Sequence, residues 1–381
     1  IGRTFDDATQ EPAARALFAS SLVCLPNGGA GLRRGDVDTS PEDVAAQILT
    51  MLLDQCASAC GVRAERAVIG VPAHFTDSQR EATKAAARIA GLEKVRLLEE
   101  PIAAALAYGA GPQNADASAD EIVMCFDLGG GTLDVSILRV GGGTAEVLSS
   151  AGEPWVGGDD FDIAIATHLA KTDAPLDVSG RRADARSVEL RRASCALKEQ
   201  LTVVKAASIA WPHGGPDKLG LTRDGLESAS ADVLERMRRP ILRACSQAQI
   251  ALPGAAGGAA ARAADNNSMK RVARPSLKGR RIDTVLRVGA ASRMPAVGKL
   301  LEALVGIPCP ISAVKPEHAV ALGCALQAGI LDGAIQNMDV FNPLEAALLR
   351  GLGAPAGRSQ RERTGEPSGS RRSKSKKRRR S

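Results

Sequence analysis

The sequence predicts an α/β fold, because segments typical of strands and of helices alternate between residues 66 and 109. A glycine-rich turn between two apolar segments near residue 130 supports this prediction with a β-hairpin. The chain has 381 residues, of which 44% are hydrophobic and 24% charged, so it can bury a sizeable core. No apolar run approaches the ~20 residues of a transmembrane helix, and we expect no membrane association.

The first part of the chain is expected to hold helices and then a strand–helix–strand–helix unit. Residues 1–60 are interpreted as helices joined by a glycine-rich connection at residues 27–35. Ser40, Pro41 and Asp43 predict the start of a helix that ends near Cys60. After it we expect strands at 66–72 and 95–100, and helices at 76–91 and 101–109.

The second part is expected to begin with the hairpin and to continue with mixed structure. Residues 251–280 are Ala/Gly-rich and then polar and basic, which predicts a flexible insertion. The chain is expected to close near Gly333 with a short strand and a helix. The other expected strands are 122–127, 133–140, 145–149 and 284–288, and the other expected helices are 159–169, 186–205, 221–248 and 294–304.

The basic character of the chain is confined to its end. From Arg358 to Ser381 there are 11 Lys and Arg residues against 2 acidic ones, so the rest of the chain, with 38 basic and 41 acidic residues, is slightly acidic. The low complexity of this tail predicts disorder. One interpretation is nuclear localisation or contact with polyanions, and the other is a solvated tail without function.

The segment Asp127-Leu128-Gly129-Gly130-Gly131-Thr132-Leu133-Asp134 is the most informative motif. Glycines in a hairpin turn let backbone N–H groups approach an anion such as phosphate. Two carboxylates that flank such a turn suit a hydrated Mg²⁺. The alternative is an ordinary glycine-rich hairpin in which Asp127 only caps a strand.

Two further motifs place carboxylates at helix starts. Gly157-Gly158 precedes Asp159 and could line an anion site, or it could only begin a helix. Glu99-Glu100-Pro101 lies at a strand-to-helix junction, where one carboxylate could orient a water molecule or both could be solvated.

Taken in order, these motifs resemble the seventy-kilodalton heat-shock protein family, in its actin-like, ribonuclease H-like nucleotide-binding domain. The resemblance runs from Ile1 to about Gly333. Its most specific stretches are Val71-Pro72-Ala73-His74-Phe75-Thr76-Asp77-Ser78-Gln79-Arg80, Arg88-Ile89-Ala90-Gly91-Leu92, Glu100-Pro101 with Ala103 to Gly109, the Asp127–Asp134 turn, and Arg293-Met294-Pro295.

This resemblance implies a two-lobed ATPase domain with ATP or ADP and Mg²⁺ in the cleft. It implies catalytic roles for Glu100, Asp127, Thr132 and Asp134, with Asp127 and Asp134 holding Mg²⁺ through water. The implied ATP-binding residues are Gly129, Gly130, Gly131, Thr132, Gly158, Lys198, Thr202, Gly289, Ser292, Arg293 and Glu317. Cys195 stands where the family usually has Glu, and Ala290 where it has Gly, so we expect weaker nucleotide binding than in typical members.

The expected domains follow from the same alignment of motifs. Residues 1–121 are the remainder of a first, incomplete lobe, and 122–333 form the second lobe. Residues 334–357 resemble a linker, and 358–381 are the tail. The family's first phosphate loop, its catalytic lysine and its substrate-binding domain have no counterpart in the sequence.

The predicted function is therefore that of an ATP-binding domain of a chaperone, with doubtful hydrolysis by this chain. The alternative is a catalytically inactive actin-fold module or scaffold. The family implies a J-domain co-chaperone and a nucleotide-exchange factor as partners, and unfolded-protein clients only for a longer parent. The expected location is the cytoplasm, with the nucleus as the alternative that the basic tail raises.

Overall fold

The computed structural model describes residues 1–10, 21–109, 120–141, 144–170, 185–211, 218–255 and 279–335. The predicted tail, most of the predicted linker and most of the predicted insertion lie outside these residues. The helices are α1 (Phe5–Gln10), α2 (Pro41–Cys60), α3 (Asp77–Ile89), α4 (Glu100–Ala107), α5 (Gly158–Ala170), α6 (Ala185–Val203), α7 (Arg223–Ala229), α8 (Ala231–Gln247), α9 (Pro295–Val305) and α10 (Ala319–Leu331). No helix in the described ranges is both long and apolar enough to span a bilayer.

The strands are β1 (Leu22–Cys24), β2 (Ala30–Arg34), β3 (Val37–Thr39), β4 (Arg66–Val71), β5 (Lys94–Glu99), β6 (Glu121–Leu128), β7 (Leu133–Gly141), β8 (Thr144–Glu153), β9 (Ala206–Ala210), β10 (Lys218–Thr222) and β11 (Thr284–Val288). In the described part of the chain they form four separate sheets. The largest has the order β11-β6-β7-β8, in which β11 and β6 are parallel and the other pairs antiparallel. Strands β4 and β5 form a parallel pair, β1-β2-β3 an antiparallel meander and β9-β10 a hairpin.

Helices cover both faces of the four-stranded sheet, which explains why its central strands are apolar throughout. Successive side chains of a strand point to opposite faces. Met124 and Phe126 accordingly pack into the larger core with α5, α6 and α8, whereas Val123 and Cys125 pack against α4 and α10. This arrangement confirms the α/β prediction and places the end of β6 between the two layers.

The helix starts were predicted correctly where local hydrogen bonding decides them. Ser40 and Asp43 form a capping box at the start of α2, and Thr76 and Gln79 form one at the start of α3. Helix α4 packs closely on α10, because a Cβ atom at Gly323 would overlap the backbone of Ala103. This contact holds the helix whose first residue is Glu100.

Three expectations about secondary structure were wrong. The predicted glycine-rich connection between helices, residues 27–35, is part of the β1-β2-β3 meander, whose reversals use Gly28 and Gly35 with φ of 78° and 63°. The hairpin β9-β10 was not predicted, and β10 occupies the start of the helix expected from residue 221. The strand expected after α9 is absent from residues 306–318, where three prolines lack the N–H group that a strand needs, at Pro308, Pro310 and Pro316.

Candidate nucleotide and magnesium site

The turn between β6 and β7 places two carboxylates side by side. Asp127 and Asp134 are direct partners in the antiparallel register of these strands. Partners in such a pair lie on the same face of the hairpin. The turn is closed by a 3.0 Å hydrogen bond from Gly129 N–H to Thr132 C=O, and its tip is exposed.

Glu100 joins these two residues to form an acidic cluster. Burial and the negative charges of Asp127 and Asp134 raise the pKa of Glu100 to about 7. Burial and the charge of Asp134 raise the pKa of Asp127 to about 6. Within the described ranges, no group of three or more His, Cys, Asp or Glu side chains is arranged to coordinate a metal ion directly. The charge of the cluster suits a hydrated cation held through water, and Mg²⁺ at this place stays a prediction.

His74 contacts the cluster, and the sequence analysis did not assign it to the site. Its Nδ1 atom lies 3.1 Å from Asp134 Oδ1, and this contact raises the pKa of His74. Glycine at residue 152 leaves room for the pair, since a Cβ atom there would lie 2.7 Å from Asp134 Oδ1. The only available sequence signal was the position of His74 in the motif that starts at Val71.

The glycines at 157 and 158 pack the start of α5 against the turn. Gly158 N–H donates to Gly129 C=O at 3.0 Å, and Asp159 N–H donates to Gly130 C=O at 2.8 Å. A Cβ atom on Gly157 would overlap the backbone of Gly130, so only glycine allows this approach. The helix start thus supports the turn through its first N–H groups.

Lys198 and Thr202 lie on α6, as expected, but their polar groups have partners within the protein. Lys198 is buried, and its Nζ lies 2.8 Å from Asp162 Oδ1 and donates to Gly158 C=O at 2.9 Å. Thr202 Oγ1 donates to Lys198 C=O at 3.2 Å. Asp162 was not assigned to the site, because nothing in the sequence pairs it with a lysine 36 positions later.

The segment after β11 forms a 3₁₀ turn, Ala290–Arg293, next to Asp127. Gly289 has φ 78°, and a Cβ atom there would lie 2.8 Å from Asp127 Oδ1. Ser292 is fully buried and its hydroxyl donates to Gly289 C=O at 2.7 Å, so this hydroxyl holds the turn. The exposed Arg293 pairs with Glu317 at 3.1 Å.

The structure thus brings most of the predicted residues around the end of β6. Glu100, Asp127 and Asp134 form the acidic cluster, and the Gly129–Thr132 turn lies beside them. Gly158 with Lys198, and Gly289 with Ser292, border the turn. Arg293 and Glu317 lie at the outer side of the 3₁₀ turn as a surface ion pair. The role of each of these residues toward a ligand stays a prediction.

Comparisons with known proteins identify relatives of this chain. The chain is 36% identical over 346 residues to the chaperone protein dnaK of Cyanidioschyzon merolae, which covers 89% of this chain and 51% of that protein. It is 37% identical over 309 residues to the chaperone protein dnaK of Thalassiosira pseudonana, covering 79% of this chain and 46% of the relative. For the chaperone protein DnaK of Prochlorococcus marinus the identity is 36% over 311 residues, with 80% and 44% covered.

The chain spans about half the length of these curated relatives. The family model described as Hsp70 protein matches residues 1–253 and 266–345, which include every residue of the candidate site. The mixed α/β architecture is the one expected for the actin-like ATPase domain of these heat-shock proteins. The chain therefore belongs to the Hsp70 family.

Proposed function

We propose that this chain is the nucleotide-binding part of a chaperone, which binds ATP and ADP together with Mg²⁺ at the end of β6. The Hsp70 family is a family of nucleotide-binding ATPases, so a nucleotide is the ligand that membership implies. The observation that carries the proposal is the direct pairing of Asp127 and Asp134 beside an exposed glycine turn.

The acidic cluster is the place proposed for the metal ion. Asp127 and Asp134 would hold a hydrated Mg²⁺ through water, as their spacing around the turn suits. When bound, the ion supplies positive charge that neutralises phosphate oxygens. The pKa values of Glu100 and Asp127 are raised first by burial and then by the neighbouring carboxylates, and a bound cation would offset both effects.

The backbone of the turn is the place proposed for the phosphates. Among the described residues, no protein group accepts a hydrogen bond from the N–H of Gly130 or Gly131. These donors lie at the exposed tip and can bind phosphate oxygens. Thr132 adds a hydroxyl at the same tip, next to the strand that carries Asp134.

Glu100 is the residue proposed to orient the attacking water. A general base works best when its pKa lies near the operating pH, and the pKa of Glu100 is about 7.

In the intact chaperone, slow hydrolysis would be coupled to protein folding. A J-domain co-chaperone, a nucleotide-exchange factor and unfolded-protein clients are proposed as partners of that longer protein. The compartment, for which the sequence suggests the cytoplasm, and any contact of the basic tail with polyanions stay predictions.

One observation favours an alternative, a catalytically inactive binding module. The first N–H groups of α5, the ammonium of Lys198 and the hydroxyl of Ser292 are all engaged within the protein. In this second proposal the same fold presents a surface to a protein partner and turns over no ATP.

Calorimetric titration of the full chain with ATP and with ADP tests the proposed function. We expect saturable binding in the presence of Mg²⁺ and much weaker binding in excess EDTA, because the phosphates and the acidic cluster repel each other without a cation. Circular dichroism of the same sample shows whether the chain is folded. Absence of binding by a well-folded chain would contradict the proposal and favour the inactive module.

A second test concerns the hydroxyl of Thr132. Thr132→Ala should lower any steady-state ATP turnover by roughly tenfold, since a lost hydrogen bond to a charged phosphate is worth on the order of 1.5 kcal/mol. The melting temperature should not change, because Thr132 is exposed. Thr167→Ala is the control, since its hydroxyl donates to Ile163 C=O on the outer side of α5. Equal turnover in wild type and Thr132→Ala would exclude the proposed position of the phosphates.

A further inference from the structure

Arg287 is a buried arginine on β11, an edge strand of the four-stranded sheet, and the proposed mechanism does not use it. It is only 6% exposed. No carboxylate of the described residues lies within ion-pair distance of its guanidinium. Burial lowers the pKa of Arg287, as expected for a cation removed from water. A buried charge without an ion pair requires another explanation.

The guanidinium of Arg287 donates to three backbone carbonyls from two different segments. Its Nη2 donates to Met294 C=O at 3.1 Å and also to Ser292 C=O. Its Nη1 donates to Cys309 C=O at 3.2 Å. Hydrogen bonds from a charged donor are stronger than neutral ones, so these bonds compensate for the desolvated cation. One side chain therefore ties the 3₁₀ turn after β11 to the segment after α9.

Two neighbouring residues, Gly298 and Tyr108, help to hold Arg287 in this position. A Cβ atom at Gly298 on α9 would lie 2.9 Å from Arg287 Nη1, so glycine leaves the space that the guanidinium occupies. On the other side, the Tyr108 hydroxyl donates to Arg287 C=O at 2.8 Å. Tyr108 follows directly after α4, whose first residue is Glu100. Both the side chain and the main chain of Arg287 are thus held in place.

We propose that Arg287 is a positioning residue for the nucleotide site, which holds the turn of residues 289–294 from inside the protein. This inference rests on the proposed function. The turn borders Asp127 through Gly289. It carries Gly289, Ser292 and Arg293, for which the family resemblance implies a place in the loop that closes over the adenine of ATP. The observed hydrogen bonds of the Arg287 guanidinium go to the backbone of this turn and to Cys309 C=O, and none goes to the Gly129–Thr132 turn. Replacing Arg287 should therefore weaken the binding of the nucleoside part of the ligand and leave the binding of the phosphate part unchanged.

The affinities for Mg·ADP and Mg·pyrophosphate distinguish the nucleoside contribution from the phosphate contribution. We expect Arg287→Leu to weaken Mg·ADP binding by roughly tenfold, because several charge-assisted hydrogen bonds to the turn are lost. Binding of Mg·pyrophosphate, which has no nucleoside, should change less than about twofold. Arg287→Lys keeps the charge but replaces the planar fork of the guanidinium by a compact ammonium that cannot reach all three carbonyls, so it should give an intermediate loss.

Arg139→Leu is the matched control, since Arg139 is a second buried arginine of the same sheet and pairs with Glu146 away from the turn. It should leave the ratio of the ADP and pyrophosphate affinities unchanged. Equal losses for both ligands in Arg287→Leu would indicate a general fold defect and overturn the proposal. Unchanged ADP binding in a folded Arg287→Leu protein would overturn it as well.

Hydrogen exchange of the ligand-free protein tests the inference independently of nucleotide binding. We expect the amides of residues 289–294 to exchange at least about tenfold faster in Arg287→Lys than in wild type, with no such change in Arg139→Leu. Unchanged exchange of these amides would overturn the role of Arg287. If wild type binds no nucleotide, the proposed function fails, and this exchange experiment alone decides whether Arg287 holds the turn.

Discussion

Replacing Asp127 by Asn should reduce magnesium-dependent ATP binding by at least about a hundredfold. The carboxylate of Asp127 is half of the pair proposed to hold Mg²⁺, and a neutral amide cannot replace its charge toward a hard cation. Titration calorimetry of wild type and Asp127→Asn with ATP, each with Mg²⁺ and with EDTA, measures this effect. In EDTA the difference between the two proteins should be small or reversed, because Asp127 then only repels the phosphates.

The same substitution should not weaken the ligand-free fold. Burial and the charge of Asp134 raise the pKa of Asp127 to about 6, so the ionised carboxylate is unfavourable at pH 8 without a cation. Thermal unfolding at pH 8 should therefore show Asp127→Asn to be at least as stable as wild type. Glu121→Gln removes an exposed carboxylate at the other end of the same strand and serves as control. Unimpaired ATP binding by Asp127→Asn would refute the proposed metal site.

The stability of the ligand-free protein should depend on pH through Glu100. Its pKa is raised from 4.5 to about 7, so between these values the folded state holds a proton that the unfolded state has lost. Because the folded state binds more protons than the unfolded state in this range, the free energy of unfolding falls as the pH rises from about 4.5 to 7. Below pH 4.5 both states are protonated, and the contribution of Glu100 to this pH dependence vanishes.

Glu100→Gln should remove this loss of stability. At pH 8 we expect the variant to exceed wild type by on the order of 3 kcal/mol in the free energy of unfolding, since one pKa unit corresponds to about 1.4 kcal/mol. At pH 4.5 the two proteins should be nearly equal. Urea unfolding in EDTA at several pH values gives this comparison.

Glu93→Gln is the control for the pH experiment, because Glu93 is exposed and lies just before β5, the strand that leads to Glu100. It should leave the pH dependence of wild type unchanged. If Glu100→Gln is less stable than wild type at pH 8, the acidic cluster does not have the electrostatic character described above. If Glu100→Gln gains stability but loses ATP turnover, this carboxylate destabilises the fold and is retained for function, as is typical of active-site residues.

Local signals in the sequence predicted the elements that local interactions decide. Ser40, Pro41 and Asp43 predicted the start of α2, because a helix start is satisfied by residues a few positions apart. The glycine turn predicted the β6–β7 hairpin, and the direct pairing of Asp127 with Asp134 follows from that hairpin. These features depend on a few neighbouring residues, so a single sequence is sufficient to predict them.

Local sequence signals did not predict the short strands, because such strands are stable only when they pair with neighbouring strands. The strands of the β1-β2-β3 meander have three to five residues each, and their glycines suggested an irregular connection. Such strands become recognisable only when they pair. The same reason explains the missed hairpin of β9 and β10, in which each strand has five residues.

The sequence by itself determined the α/β class, the acidic hairpin turn and, through the order of its motifs, the family. The tertiary structure alone decided which distant residues complete the site. It placed Glu100 and His74 beside Asp134, paired Lys198 with Asp162, and set Arg287 under the turn at residues 289–294. The physical reason is that charge repulsion, burial and buried hydrogen bonds depend on distances in space, whereas turns and helix starts depend on distances along the chain.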